Sequence, residues 1–383
     1  MTRTPVAFLM VLDISSISPP VLECRLNKWG VAPKALEVSR NSIGLSLPQR
    51  DHRDIFPRVQ EKSPIDRLIW LNGELVPWGA ATVHVLSHSL QRGSLVFDYM
   101  SVHKTPRGPA VFRIADHIDR MLQSCSLMGL PIEWTAVELE AGILEAVRAN
   151  PDATAVKASA YFASVEVDVV PVDQRVSVAI AAYDPQRDIL DRLPGRRPVR
   201  RRPLRIWLEK KAHQRREDIV SPHAKVSANY ASSMTAKSRA QQEGFDEILL
   251  VDEEGWVAEG PTTNVFIVDS EGALLTPLEK KVLQGVTRRS LIELARADGF
   301  EVREEGIRPE QLLEAQEVFL TGTTAGVAPV ESVDGHVIGE SCPGPIAKSL
   351  HRHFQRVVSG EDPNYIDWLT FVDGEVPVVG EGA

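Results

Sequence analysis

From Leu68 onward, short apolar runs of strand length alternate with longer stretches of helical periodicity. The first two runs, in LIWLNGELVP, flank Asn72-Gly73, a pair that strongly favours a tight hairpin. Helical spacing predicts helices within ADHIDRMLQSCSLMGL, over 135–149, and later in the chain over 229–243 and 287–298. Strands are predicted between and after them, for example in EILLVD, NVFIVD and EVFLT. The order of elements favours a two-domain fold of the α+β and α/β classes.

Composition shifts suggest where the domains begin and end. Residues 1–65 contain Pro-rich and charged stretches without sustained periodicity, which predicts a poorly ordered extension or a start codon placed too far upstream. A small α+β domain is predicted over 66–182. Residues 183–203, rich in Pro and Arg, are predicted to form an interdomain linker or a rim that attracts anions. A large α/β domain follows over 204–383, with a flexible acidic tail after Gly360.

The bulk properties exclude several classes of function. The net charge of −9 argues against a general nucleic-acid surface, although a few local donors could still bind a phosphate. No apolar run approaches the roughly 20 residues of a membrane helix. Cys24, Cys125 and Cys342 are far apart and show no CxxC spacing, which predicts reduced thiols in a cytoplasmic protein. The short apolar start lacks a small-residue cleavage site, which disfavours secretion.

Lys225 is the first candidate for chemistry. It precedes a predicted helix that begins near Asn229 and Tyr230, in an extended approach from which a side chain can point into a cleft. A lysine that forms an imine must lose its proton, and burial or a neighbouring cation favours that loss. The local sequence is equally compatible with a solvated surface lysine.

Three further segments could bind a charged ligand. Glu259 lies in a Gly-Pro turn before a strand, and is either an exposed turn residue or a carboxylate that pairs with a protonated ring nitrogen. Thr287 follows Gly285 and Val286 at the predicted start of a helix, where it could be an ordinary cap or part of an anion site. After the strand EVFLT, a Gly-Thr-Thr turn places hydroxyl and N–H donors at Thr323 and Thr324, although it could be only a polar turn.

Two other groups have competing interpretations. Arg120 could bind a phosphate or could form a surface ion pair with Asp116, four residues earlier on the same predicted helix. His84 and His88 have HxxxH spacing, but TVHVLSH alternates like a strand, so the two imidazoles should not share a metal ion. The sequence has no HExxH, Walker, GxSxG or GxGxxG motif.

Taken in order, these stretches resemble the fold-type IV aminotransferases, and most closely the branched-chain amino acid aminotransferases. The resemblance runs from about Leu68 to Trp368, roughly four-fifths of the chain. The matching pieces are WLNGELVPW, HVLSHSLQRGSLVF, VFRIADHIDRM, AKVSANYASS, EGPTTNVF, LQGVTR, GTTAGVAPV, VDGHVIGE and CPGPIAK. Each is weak alone and their combination is specific. The resemblance implies the D-amino acid aminotransferase-like fold, with a small α+β domain, a larger α/β pseudobarrel domain, and at least a homodimer.

The resemblance also implies pyridoxal 5′-phosphate as cofactor and assigns roles to individual residues. Lys225 matches the Schiff-base lysine and the catalytic proton carrier. Tyr230 matches the partner of the phenolic oxygen of the cofactor, and Glu259, with Asn264 nearby, matches the partner of the pyridine nitrogen. The implied phosphate cup consists of Arg120, Val286, Thr287 and Thr323. The implied substrate site consists of Thr323 and Thr324 for the α-carboxylate and Phe97 as an aromatic wall.

Three positions in the implied substrate pocket depart from the branched-chain pattern. Arg92 and Ala155 stand where that family usually has tyrosines. Lys157 stands in place of the arginine that receives the second carboxylate of glutamate, and it can offer only a point charge. The cofactor chemistry is retained, whereas the identity of the substrate is open.

The resulting hypothesis is a ping-pong transamination between a branched-chain L-amino acid and 2-oxoglutarate. The cofactor motifs are shared with D-amino acid and (R)-amine transaminases and with aminodeoxychorismate lyase, so these remain alternatives; Asn229 and Tyr230 favour the branched-chain side. A non-catalytic paralogue that binds cofactor or a partner is a further alternative. The retention of Lys225, Glu259 and Arg120 argues against it.

Overall fold

The computed structural model describes residues 65–193, 203–210 and 216–373 of the 383-residue chain. Within these ranges fifteen strands form two sheets. The strands are β1 (Leu68–Leu71), β2 (Glu74–Pro77), β3 (Val96–Thr105), β4 (Gly108–Phe112), β5 (Ala155–Phe162), β6 (Val176–Tyr183), β7 (Leu204–Glu209), β8 (Glu247–Leu250), β9 (Asn264–Val268), β10 (Leu274–Thr276), β11 (Val302–Glu304), β12 (Glu317–Gly322), β13 (Gly326–Val333), β14 (His336–Val337) and β15 (Leu369–Phe371).

Helices occupy most of the predicted positions between these strands. The described part of the chain contains α1 (His88–Arg92), α2 (Ile114–Leu127), α3 (Ala136–Ala149), α4 (Ala231–Gln242), α5 (Val286–Ala297), α6 (Pro309–Glu314) and α7 (Pro345–Val358). Helix α3 begins with a capping box, in which the Thr135 hydroxyl accepts from Glu138 N and the Glu138 carboxylate accepts from Thr135 N. A short 3₁₀ helix, Ser227–Tyr230, leads into α4.

The first sheet is antiparallel throughout, in the order β15-β4-β3-β5-β6-β1-β2. Helices α2 and α3 pack on one of its faces. Because side chains alternate along a strand, Val96, Asp98 and Met100 of β3 point to that face and are fully buried. Phe97 and Tyr99 are half-buried on the opposite face. One face of the sheet therefore belongs to a core, and the other carries side chains that can face a ligand.

The second sheet mixes parallel and antiparallel pairs in the order β11-β10-β9-β12-β13-β7-β8, and β14 pairs with β13. Its centre is buried against α5 and α7, where the rings of Phe266 and Phe319 stack with centroids 5.3 Å apart. The turns that follow β8 and β12 and the loop that enters α5 therefore start from rigid, buried elements.

The expectation of a loosely held tail after Gly360 is wrong for residues 361–373. Strand β15 pairs with β4, and Trp368 packs edge-on against Phe112 with ring centroids 6.0 Å apart. Burial of these aromatic rings holds the segment in place. Residues 374–383, the predicted extension up to residue 64, and linker residues 194–202 lie outside the described residues.

The strand predicted through TVHVLSH is also wrong. The segment turns and enters α1, which ends at Gly93 with φ +69°. The apolar side chains of Val83, Val85 and Leu86 are all exposed, so the segment has no buried face that would hold it in a sheet. His84 accepts from Leu86 N, and the Nε2 atom of His88 lies 2.8 Å from Val169 O.

The described residues were compared with the requirements of a metal site and of a membrane-spanning helix. No group of three His, Cys, Asp or Glu side chains among them could hold a metal ion. No helix among them is long and apolar enough to cross a bilayer.

Candidate active site

Lys225 lies between the two sheets, on a short extended segment that bridges to β3. Its carbonyl oxygen accepts from Phe97 N at 3.0 Å, and its own N–H donates to Ser124 Oγ, also at 3.0 Å. The Nζ atom donates to Tyr230 Oη over 3.2 Å and lies 5.1 Å from the centre of the Phe97 ring. The backbone is therefore fixed from two sides, and the amine points into a pocket beside two aromatic rings.

The environment of Lys225 weakens its hold on a proton. Burial, together with the nearby Arg120 guanidinium, lowers the pKa of Lys225 from 10.5 to about 8. The carboxylates of Asp98 and Glu259 oppose this shift only in part. A lysine of this kind can act as a nucleophile and as a proton carrier near neutral pH.

We expect the rate at which cofactor-free protein takes up pyridoxal phosphate to rise with pH through a midpoint near 8. The neutral amine is the reactive form, so the folded protein holds more of it as the pH passes the lowered pKa. At pH 7.5 about a quarter of the amine would be neutral, against about one part in a thousand for an ordinary lysine. Stopped-flow absorbance across pH 6 to 10 measures the rate. A midpoint near 10.5 would contradict the assigned environment.

Glu259 is buried and lines the same pocket. Its Oε2 atom accepts from Asn264 Nδ2 and from Leu283 N, both at 3.1 Å. Asn264 also donates to Leu283 O at 3.0 Å, which links the carboxylate to the loop before α5. The alternative prediction, that Glu259 is an exposed turn residue, is therefore wrong. A buried, oriented carboxylate of this kind can pair with a protonated ring nitrogen.

An anion cup is formed by the start of α5 and by the turn after β12. Helix α5 is capped by Gly285, so the N–H groups of Val286 and Thr287 are available at the positive end of the helix dipole. Gly285 is required here because a Cβ atom would collide with the carboxamide oxygen of Asn264. Thr323 lines the same pocket.

Two buried hydroxyl groups point to a ligand in this pocket. The Oγ1 atoms of Thr263 and Thr321 have no hydrogen-bond partner within the described part of the chain, and both residues line the pocket. Buried polar atoms normally have partners. Their presence beside the α5 N-terminus indicates a polar ligand with several acceptor atoms.

Arg120 also lines the pocket, but the ion pair with Asp116 predicted as its alternative is wrong. Its guanidinium binds Asp98 through two hydrogen bonds, Nε to Oδ2 at 2.9 Å and Nη2 to Oδ1 at 2.8 Å, and Nη1 donates to Gln284 O at 2.9 Å. Asp116 instead pairs with Arg113 and Arg289. The buried carboxylate of Asp98 therefore fixes the orientation of the Arg120 guanidinium in the pocket.

Sequence reasoning missed the two residues that anchor Arg120. Asp98 is fully buried, and His117 Nδ1 lies 2.6 Å from its Oδ1 atom. Burial alone would raise the pKa of Asp98, but Arg120 and His117 hold it well below the usual range. A signal was present: Asp98 is the one charged residue at an inward position of the apolar run VFDYM, where a carboxylate needs a cationic partner.

The predicted substrate residues are brought together only in part. Phe97 contacts Tyr230 with ring centroids 5.3 Å apart, and Lys157 Nζ lies 4.6 Å from the centre of the Phe97 ring. Burial lowers the pKa of Lys157. Ala155 is buried two residues earlier on β5. Arg92 is exposed at the end of α1, and its guanidinium donates to Val167 O at 2.7 Å.

Comparison with known proteins identifies a family and individual proteins to which this chain is similar. Residues 95–333 match the model of the family described as amino-transferase class IV. A branched-chain-amino-acid aminotransferase of Pseudomonas aeruginosa is 33% identical over 309 residues, which cover 80% of this chain and 98% of that protein. One from Escherichia coli (strain K12) is 32% identical over 308 residues, covering 80% and 97% of the two chains.

Solved structures give the same result. A T.th. branched-chain amino acid aminotransferase, solved with pyridoxamine 5′-phosphate, superposes with a TM-score of 0.74 at 34% identity, covering 81% of this chain and all of that one. The enzyme from Thermobaculum terrenum in its PLP form gives 0.72 at 30% identity, covering 81% and 99%.

Proposed function

The chain belongs to the class IV aminotransferases, and from that membership we propose that it moves the amino group of a branched-chain L-amino acid to 2-oxoglutarate. It is a pyridoxal-phosphate-dependent enzyme. The observation that carries the proposal is one pocket that contains an amine of lowered pKa, a buried carboxylate and an anion cup. The substrate class is supported by the names of the relatives.

The described residues fit the cofactor. We propose that Arg120, Val286, Thr287 and Thr323 hold its phosphate, because a helix N-terminus, a turn and a guanidinium converge there. The unpartnered hydroxyls of Thr263 and Thr321 lie in the same pocket and suit a ligand rich in acceptors. Lys225 and Tyr230 would contact the reactive side of the ring, with Glu259 and Asn264 at its nitrogen.

Each residue then has a task that its geometry allows. When bound, the cofactor supplies an electron sink for the substrate Cα carbanion. Glu259, oriented by Asn264 and Leu283 N, keeps the ring nitrogen protonated. Lys225 Nζ, once released by the incoming amino group, would take the proton from the substrate Cα and deliver it to the C4′ carbon of the cofactor. Tyr230 Oη, 3.2 Å away, orients the amine during this transfer.

The substrate would lie between the two sheets. The turn at Thr323 and Thr324 offers N–H and hydroxyl donors to the α-carboxylate, and Phe97 forms one wall for the side chain. Lys157, beside Phe97, could receive the second carboxylate of 2-oxoglutarate. Burial lowers the pKa of Lys157, and a carboxylate partner would oppose that shift by favouring the charged ammonium.

An amino-donor screen with 2-oxoglutarate tests this proposal. We expect turnover with L-Leu, L-Ile and L-Val to exceed that with their D enantiomers, with Ala and with a chiral amine. Glutamate formation, followed by a coupled assay, gives kcat/KM for each donor. Preference for D-amino acids or an (R)-amine would reject the branched-chain assignment and leave the cofactor assignment intact.

We also propose a homodimer in the cytoplasm. Residues 83–90 and 165–172 form an exposed apolar patch that includes Val85, Val167 and Val172, the last two about nine-tenths exposed. Such a patch is typical of an interface between two copies of a chain, and Arg92 is held beside it by a hydrogen bond to Val167 O. The two cysteines in the described ranges, Cys125 and Cys342, form no disulfide, which suits a reducing compartment. Sedimentation analysis would detect the dimer.

A further inference from the structure

Ser124 of α2 carries a buried hydroxyl group that has no place in the function proposed above. The side chains around it on the helix are apolar, since Met121 and Cys125 belong to the same buried core. Ser124 itself is fully buried. Its hydroxyl donates its single proton to Arg120 O over 2.7 Å and accepts from Lys225 N at 3.0 Å. Ser124 therefore joins the backbone of Arg120 to the backbone of Lys225.

A second connection between the same two residues runs through β3. Phe97 N donates to Lys225 O at 3.0 Å. The next residue on the strand, Asp98, accepts two hydrogen bonds from the Arg120 guanidinium. Together with the bonds of Ser124, these contacts form a closed ring that binds Lys225 through its N–H and its carbonyl group. The ring leaves Lys225 and Arg120 little freedom to move relative to each other.

We propose that Ser124 is a positioning residue that fixes the distance between the Lys225 amine and the phosphate cup. Lys225 and Arg120 line one pocket, and the cofactor roles proposed above assign them to the two ends of the same ligand. The proposal rests on those roles. Ser124 is not one of the described residues that line the pocket, so it acts through the two backbones that it joins.

The physical reason is that a ligand held at both ends binds tightly only when its two anchors already stand at the right separation. Without the Ser124 hydroxyl, the Lys225 N–H loses its acceptor, and a new partner is reached only if the segment moves. The carbonyl of Lys225 would still be bound to Phe97 N, and the Arg120 guanidinium would still be bound to Asp98. Each anchor should therefore keep its own affinity, whereas their joint use should suffer.

Three related molecules distinguish the two anchors when they are added to the cofactor-free protein. Pyridoxal phosphate can use both, because its aldehyde condenses with the Lys225 amine, with loss of water, while its phosphate enters the cup. Pyridoxamine phosphate has the phosphate but no aldehyde. Pyridoxal has the aldehyde but no phosphate. Equilibrium dialysis gives the Kd of each.

We expect Ser124→Ala to raise the Kd of pyridoxal phosphate about fivefold to twentyfold. The Kd values of pyridoxamine phosphate and of pyridoxal should each change by less than about twofold. A serine that served only the packing of α2 would instead affect all three ligands alike or none. Ser124→Cys, which fills similar space with a weaker acceptor, should raise the Kd of pyridoxal phosphate about twofold to fivefold.

Ser233→Ala is the matched control. Ser233 is also a buried helix serine, and its hydroxyl lies 3.4 Å from Asn229 O, the carbonyl four residues earlier. Within the described part of the chain it forms no hydrogen bond with Lys225. This variant should leave all three Kd values unchanged.

The outcomes separate the positioning role from the proposed function. If wild-type protein binds neither pyridoxal phosphate nor pyridoxamine phosphate, the proposed function fails. If wild type binds both, and both Ser124 variants weaken none of the three ligands or weaken the two phosphates equally, the positioning role of Ser124 is rejected and the proposed function stands.

Discussion

Replacing Lys225 with alanine is expected to abolish transamination and to remove the cofactor absorbance near ~400 nm that an imine-linked lysine produces. The expected loss in kcat exceeds about a thousandfold, because both the covalent attachment and the proton transfer depend on this amine. No other lysine lines the described part of the pocket; Lys157 lies beside the Phe97 ring and is carried by β5. Steady-state kinetics and absorbance of the purified variant give both results.

A matched control separates this effect from misfolding. Lys348 is exposed on α7, away from the pocket, and Lys348→Ala should retain full activity and absorbance. Added methylamine should restore part of the proton transfer in Lys225→Ala, because a small amine fits the space left by the side chain. Undiminished turnover by Lys225→Ala would show that another residue carries the chemistry.

Much of the site could be predicted because its donors belong to short local motifs. The family, the cofactor and the mixed two-domain fold class are confirmed by the comparisons. The hairpin at Asn72-Gly73 is also confirmed, since β1 pairs with β2 and both turn residues have positive φ. In such segments turn chemistry and the alternation of apolar residues specify one local structure.

The contacts that were missed join residues far apart in sequence. Arg120 was paired with Asp116 because helical spacing shows only neighbours on one helix, whereas its real partner, Asp98, comes from a strand. The contact between His117 and Asp98 likewise joins a helix to a strand and leaves no periodic signal. The roles proposed for the individual pocket residues and the domain boundaries stay predictions until variants such as those above are measured.

The carboxylate beneath Arg120 should have the largest effect on stability. We expect Asp98→Ala to lower the free energy of unfolding by about 3–5 kcal/mol, because it leaves the buried guanidinium and His117 without their acceptor. The backbone N–H of Tyr99 also loses its bond to the carboxylate. Urea denaturation of the full-length protein measures the change.

The pH dependence gives an independent check, and its sign follows from the lowered pKa of Asp98. A carboxylate whose pKa is lower in the folded than in the unfolded state stabilises the protein at neutral pH, and this contribution is lost only as the pH falls below about 4. The stability difference between wild type and Asp98→Ala should therefore be constant from pH 6 to 8 and shrink in acid. Asp116→Ala, which removes a partly exposed carboxylate from the first turn of α2, should cost about 1 kcal/mol or less. Equal losses in the two variants would mean that Asp98 acts as an ordinary surface charge and does not anchor Arg120.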